Sequence, residues 1–414
     1  MLKIPRAVTR TAAGALLVLG TAGCSDNFLN VTNPNVIDAA TVDPTSGALT
    51  LAQSAQQNFA TALGLLSVYS GWFTVEANVS DTFPTRNEFG FRLISDLNGS
   101  LNTDVWGPLS LAAASTKTVL DLTLPTPASN INIARAATFR GFSVLMMATD
   151  FCTGALSSGP ELTTAQMLDT AIFWFGQGIT VGTANATADG IALANASFVG
   201  RARAKLQKGD KAGAATDATA VPAGFVFNLR YTDDLANRAR LSNRQYQLTF
   251  DRSSISVAPF FRTGDPRVPF LPPGVTTLNP QDAVPGGFYE QTKFNGYAVS
   301  QRLASKLEAN YIAAEAGTTA DQLTFIAAQR AANNQPAYTG ATDPASVLKE
   351  LYLQRSFEFY LEGRRLADFR RSPASVSGIT AAGDPYFKPG YANTGTQTCY
   401  PLPRVERDNN PNMS

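Results

Sequence analysis

The sequence predicts a mainly α protein: a bundle of tetratricopeptide-like helix pairs carrying long loop-rich insertions and a few short strands. Three observations predict it. Apolar residues recur at steps of three and four through most of the chain, the spacing of one helix face. Between residues 194 and 220, two alanine-rich stretches are joined by Lys208-Gly209-Asp210. Helices hinged by such a turn, with alanines for close approach, have the pattern of a tetratricopeptide pair. From Val221 to about Gly287 the chain instead breaks into short apolar runs cut by prolines, which suits loops and short strands.

In chain order, Ser25 to Pro44 is rich in Asn, Asp and Pro and reads as an extended tether. A helical pattern begins at Pro44 and continues through Asn58-Phe59 to Leu65-Leu66. Thr82 to Gly90 reads as aromatic and charged loop. Helix resumes near Trp106 and Leu109 and runs to Leu120, before Pro125 and Pro127. Asn132 to Asp150 forms the next helix, leading into the loop at Cys152-Thr153-Gly154, with a partner helix over Thr164 to Gly178. The insertion carries expected short strands at Phe225 to Phe227, Tyr246 to Phe250 and Val268 to Phe270. Helices follow over Ser300 to Glu315 and Ala320 to Asn333. The last begins at Asp343-Pro344, where Asp is a good N-cap and Pro suits the first helical position. Tyr391 to Ser414 reads as coil. The expected organisation is a signal peptide (1–23), a tether (24–44) and one body (45–414). The body comprises an N-terminal helical part (45–220), a loop-rich insertion (221–299) and a C-terminal helical part (300–414).

Composition narrows function. The chain has 33 Lys and Arg against 32 Asp and Glu, a net charge of +1, so no basic stripe announces nucleic acid. It has no histidine, which removes Ser-His-Asp and Cys-His catalysis and His-ligated metal sites together. No cofactor and no metal is expected.

The N-terminus carries Lys3, Arg6 and Arg10, then the apolar run Ala12 to Leu19, then small residues up to Cys24. That is the layout of a secretory signal, too short to span a bilayer. Ala22-Gly23-Cys24 resembles a bacterial lipobox, in which Cys24 is lipidated, although Thr21 departs from the usual Leu. A plain secreted protein is the alternative. In an exported chain the remaining pair, Cys152 and Cys399, favours a disulfide over two buried free thiols.

Gln354 to Arg371 reads as one charged helix. Arg355, Glu358, Glu362, Arg365, Asp368 and Arg371 recur at three and four, so they share one face. A row of this kind is expected to be a structural staple rather than a catalytic centre. The stretch resembles the C-terminal signature of SusD/RagB outer-membrane lipoproteins, roughly E-R-x-x-E-L-x-x-E-G-x-R-x-x-D-L-x-R. Arg355, Glu358, Glu362, Gly363, Arg365, Asp368 and Arg371 match, while Gln354, Phe359 and Phe369 depart from it. Tyr400-Pro-Leu-Pro to Asn412 is similar to the family's closing segment. Asn310 to Ala316 resembles its "L-I-x-A-E-A" helix, and Arg135 to Asp150 another of its helices.

The resemblance implies a SusD-like bundle with a variable loop face, lipid-anchored at the outer membrane and facing the cell surface. It implies a nutrient-binding protein, not an enzyme, that delivers a glycan or peptide to a TonB-dependent, SusC-like transporter. Contact with the membrane would be through the lipid anchor alone, and nucleic acid is not an expected partner. The alternative is a tetratricopeptide-type envelope scaffold that binds no small ligand.

Sugar rings stack their apolar faces on aromatics, with polar groups setting orientation. The best cluster for this is Tyr69, Trp72 and Phe73 with Phe83, Arg86 and Asn87, against core packing of helix ends as the alternative. Tyr289 forms a second candidate. Asp81 and Glu88 are the one carboxylate pair weighed for glycoside hydrolysis. Arg262, Asp265 and Arg267 read as a salt-bridged turn, and Trp106 as a plug in the core.

Overall fold

The computed structural model describes residues 44–413. The signal segment, Cys24 and the tether up to residue 43 lie outside the described residues. The first helix, α1 (Pro44–Phe73), continues past Leu66, and its buried positions Ala48, Ala52, Ala55, Phe59, Leu63 and Leu66 follow the helical step. After strand β1 (Ala77–Val79), the segment expected to be loop contains a short helix, α2 (Pro84–Gly90), with Pro84 in its first turn. A π-helical segment, Leu101–Trp106, runs on into α3 (Gly107–Leu120).

Four helices follow: α4 (Ile131–Asp150), α5 (Thr164–Asn185), α6 (Ala188–Lys208) and α7 (Lys211–Ala220), each packed on the next. This is the helix-pair pattern expected from the alanine-rich hinge. Asn130, Thr163, Thr187 and Asp210 cap them by accepting from backbone N–H groups, contributions of about 1 kcal/mol each. Close packing depends on Phe175 of α5, which wedges between Gly141 and Gly200. A Cβ at those positions would lie 2.7 and 2.3 Å from its ring. The loop after α4 forms a two-stranded ribbon, β2 (Thr153–Gly154) with β3 (Leu162–Thr163).

In the insertion, β4 (Val226–Leu229) pairs antiparallel with β8 (Gln301–Ser305). Residues 244–250 differ from expectation. They form a helix, α9 (Arg244–Phe250), after the short α8 (Arg238–Leu241). Asn243 caps it by accepting from Tyr246 N at 2.9 Å, and Gln245, Leu248 and Thr249 bury one helical face. An apolar run this short carries too little period to separate strand from helix. A four-stranded antiparallel sheet has the order β1, β5 (Ile255–Val257), β7 (Glu290–Gln291), β6 (Phe270–Leu271).

Towards the C-terminus, the helix expected from Ser300 starts instead at α10 (Lys306–Ala316), because 301–305 is the partner of β4. Next come α11 (Thr319–Ala332) and α12 (Pro344–Glu358), packed on each other. The charged stretch is not one helix. α12 stops at Glu358, and α13 (Arg365–Arg371) begins after a tight turn in which Leu361 and Gly363 have φ of 55° and 70°. Gly363 adopts that left-handed conformation without the penalty a Cβ would bring. Charge attracted to charge shapes the turn. Arg302 on β8 pairs with Glu358 at 3.1 Å and Glu362 at 3.0 Å, and Lys293 with Glu362 at 2.9 Å. Leu361 N donates to buried Glu76. A last short helix, α14 (Arg404–Asn409), lies in the segment expected to be coil.

The body forms one large apolar cluster, with a smaller one where α10, α11 and α12 meet and another of Ala52, Val119 and Ala136. Cys152 and Cys399 are disulfide-bonded, with Cα atoms 5.1 Å apart, tying the end of α4 to the C-terminal segment. Among the described residues, no helix is long and apolar enough to cross a membrane.

Candidate ligand-binding cleft

The residues singled out from sequence divide sharply by exposure. Tyr69, Trp72 and Phe73 lie on the last turns of α1 and are buried at 0%, 1% and 0% exposure. Tyr69 packs edge-on against Trp72 and Phe89, with centroids 4.9 and 4.6 Å away, and Phe73 against Tyr400 at 5.2 Å. Tyr69 and Phe73 are therefore core residues, which corrects their assignment to a ligand surface. The cause is the helical step of α1, which turns them into the bundle. Phe83 is exposed, but its ring lies under the Arg86 guanidinium at 4.7 Å, while Arg86 pairs with buried Asp81 at 2.7 Å. Asn87 is buried too, donating to Phe83 O at 2.9 Å. Tyr289 stacks beneath Arg262 at 3.8 Å. Trp106 does plug the core, its Nε1 donating to Glu406 at 2.9 Å. Asp265 and Arg267 form the expected salt-bridged turn at 2.7 Å.

Of the ligand candidates, Trp72 borders a cleft, although its own side chain is buried. It lines a cavity of about 270 Å³ between the end of α1, β1, the turn after β5 and residues 378–387. Phe260, Tyr386 and Phe387 make the other aromatic walls, and Asn78 and Thr380 lie among them. The Trp72 indole N–H is buried with no partner among the described residues.

The aromatic wall is held by its own scaffold. Tyr386 donates to Asn87 Oδ1 at 3.1 Å, so Asn87 fixes a ring of the cleft without facing it. Lys388, 3% exposed, donates to Asp81 O at 2.6 Å and pairs with Asp282 at 2.8 Å. Burial lowers its pKa, with Asp282 opposing that shift and holding the ammonium in place. Arg92 donates to Thr380 O. Loop 378–388 is thus pinned at three points, and the disulfide anchors the chain beyond it.

Sequence reasoning missed Phe260, Tyr386, Phe387, Asn78 and Thr380. The available signal was the aromatic pair in Pro385-Tyr386-Phe387-Lys388-Pro389, bounded by prolines within a glycine-rich coil. Asp81 and Glu88 do not form a hydrolytic pair: Asp81 holds Arg86, and Glu88 accepts from Ser95 N at 3.0 Å and Asn98 at 2.7 Å. Among the described residues, no group of three or more acidic or Cys side chains is placed to hold a metal.

No protein-family model and no curated protein matches the sequence. Solved structures do match in fold. A laminarin-binding SusD-like protein superposes with a TM-score of 0.66 at 14% identity, over 87% of this chain and 96% of that one. A surface glycan-binding protein A from Bacteroides fluxus gives 0.62 at 14%, over 89% and 98%. A structure with xylogluco-oligosaccharide gives 0.59 at 13%, over 88% and 98%. The chain has the SusD-like fold, the architecture its C-terminal motif suggested.

Proposed function

We propose that this protein captures oligosaccharides in the aromatic cleft, as a lipid-anchored outer-membrane protein that passes them to a TonB-dependent transporter. The cleft carries the reading. Half-buried Phe260 and Phe387 supply apolar faces for sugar rings, buried Trp72 and Tyr386 back them, and Asn78 and Thr380 supply orientation. Glycan as the ligand class is supported by similarly folded proteins described with laminarin or xylogluco-oligosaccharide. Capture of this kind needs no covalent step. Export is supported by the signal layout of the N-terminus and by the Cys152–Cys399 bond, since disulfides persist in oxidising compartments. Lipidation at Cys24, surface orientation and the transporter partner rest on the lipobox and family resemblance.

Calorimetry on the chain from Ser25 onward, with laminarin- and xyloglucan-derived oligosaccharides, tests the site. Saturable binding is expected for at least one of them, weakened about fivefold or more in Phe387→Ala if losing the ring costs as much as a lost base–aromatic stack, about 1–3 kcal/mol. Binding that is unchanged in both Phe387→Ala and Asn78→Ala would move the site elsewhere. Recovery of a TonB-dependent receptor with the full-length chain from native membranes tests the partner.

A further inference from the structure

A second cleft, of about 420 Å³, shares no lining residue with the aromatic one. It lies between α1, the N-terminal parts of α4 and α6, and β4, and amide and charged groups dominate its walls: Gln53, Gln56, Gln57, Arg135, Asp189 and Arg230. Arg135 is the informative residue. It is 9% exposed, and its Nε and Nη1 are buried with no hydrogen-bond partner among the described residues. Its one acidic neighbour is Asp189, 3.6 Å from Nη2 and with its own side chain 78% exposed.

A buried guanidinium elsewhere in this protein shows the contrast. Arg203 places Nε and Nη2 on the two oxygens of Glu308 at 2.7 and 2.8 Å, the bidentate geometry that suits its planar fork. Arg135 has the burial without the matching carboxylate. Gln57 Nε2 is likewise buried without an acceptor, and exposed Arg230 forms no ion pair among the described residues. Donor-bearing and positively charged residues therefore line one cavity, and among the described residues the acid that answers them is Asp189, solvated and 3.6 Å from Arg135. Burial pulls the Arg135 pKa down and Asp189 only partly offsets it, in keeping with an undercompensated cation.

We infer that this cleft binds a carboxylate group, gripped by Arg135 with Gln57 and Arg230 supplying further donors, and that Asp189 is the internal carboxylate it displaces. Asp189 is exposed, so swinging it into solvent costs little. Two ligands present this chemistry, a sugar acid and the C-terminus of a short peptide.

Calorimetry with glucuronate and with N-acetyl-dialanine, each against its uncharged counterpart (glucose and N-acetyl-dialanine amide), tests the inference and separates the two sources. At least one carboxylate is expected to bind while its neutral counterpart does not. Asp189→Asn, a surface change that removes the internal competitor, is expected to tighten binding about two- to fivefold. Arg135→Gln is expected to weaken it by at least about tenfold. Should Arg135→Gln fail to fold, Arg230→Gln replaces it, with an expected loss of about two- to threefold. The inference is overturned if neither carboxylate binds the wild type or Asp189→Asn, or if charged and neutral probes bind alike.

Discussion

Two regions of this molecule handle polar groups in opposite ways. Around α10, α12 and α13 charges are buried and answered by other charges. Arg203 lies 2.7 Å and Arg364 3.4 Å from Glu308, and Arg371 lies 2.7 Å from Glu315 and 2.9 Å from Asp368. Arg355 sits 2.8 Å from Asp368, an ion pair by distance that lacks hydrogen-bond alignment. In the aromatic cleft the polar groups are few, and the Trp72 N–H is left unmatched. The difference is one of purpose. The charge network ties helices to one another, although Arg203 Nη1, Arg355 Nε and Nη1 and Arg364 Nε stay without a hydrogen-bond partner among the described residues. The cleft instead presents half-buried rings to an open cavity.

Breaking the network should cost most. Glu308→Gln strands Arg203 and Arg364 in the interior and is expected to destabilise by about 3–5 kcal/mol, read by chemical denaturation at neutral pH. The same site predicts acid behaviour. Burial alone would raise the Glu308 pKa, but Arg203 and then Arg364 override it and hold the carboxylate at about 2. Its stabilisation is therefore full above its ordinary value of 4.5 and lost as pH falls towards 2. A denaturation series that is flat across that window contradicts the assignment.

Opening the disulfide comes next. Cys152→Ser with Cys399→Ser frees a link spanning 247 residues and is expected to cost about 2–5 kcal/mol, measured as a fall in denaturation midpoint.

Glu76 gives the opposite pH sign at a smaller scale. Burial pushes its pKa up to about 7, with Arg365 opposing. A raised carboxylate contributes stability that is complete below its ordinary 4.5 and lost as pH rises through 7. Glu76→Gln should flatten that decline, seen as a narrower gap between melting temperatures at pH 5 and pH 8.

Phe387→Ala sharpens the comparison from the other side. Its half-exposed ring belongs to no interior cluster, so the expected stability loss is below about 1 kcal/mol, while oligosaccharide affinity falls. A large stability loss with affinity intact would place Phe387 with the network instead.

Much of the fold was legible. The α1 stripe, the hinge at Lys208-Gly209-Asp210 and the cap at Asp343 were readable because period and capping are local chemistry. The charged stretch was readable as a buried staple but not as two helices. Glu358 and Glu362 look like neighbours on a helix until Arg302 and Lys293, from distant segments, draw both into a turn. The strand at 301–305 was misread as helix for the same reason, since its partner is β4.

The candidate site was legible only in part. Aromatics near Trp72 were visible in the sequence, yet which of them faces a cavity depends on loop 378–388 folding back over α1 and β1. The tether that fixes this, Tyr386 to Asn87, joins residues 299 apart. By itself, then, the sequence determined the helix pairs, their caps and the residue types available for binding. Tertiary structure alone decided which rings are core and which are cleft, and which buried cations meet a carboxylate. Exposure and charge pairing belong to no residue alone; they are set by whatever distant segment packs beside it.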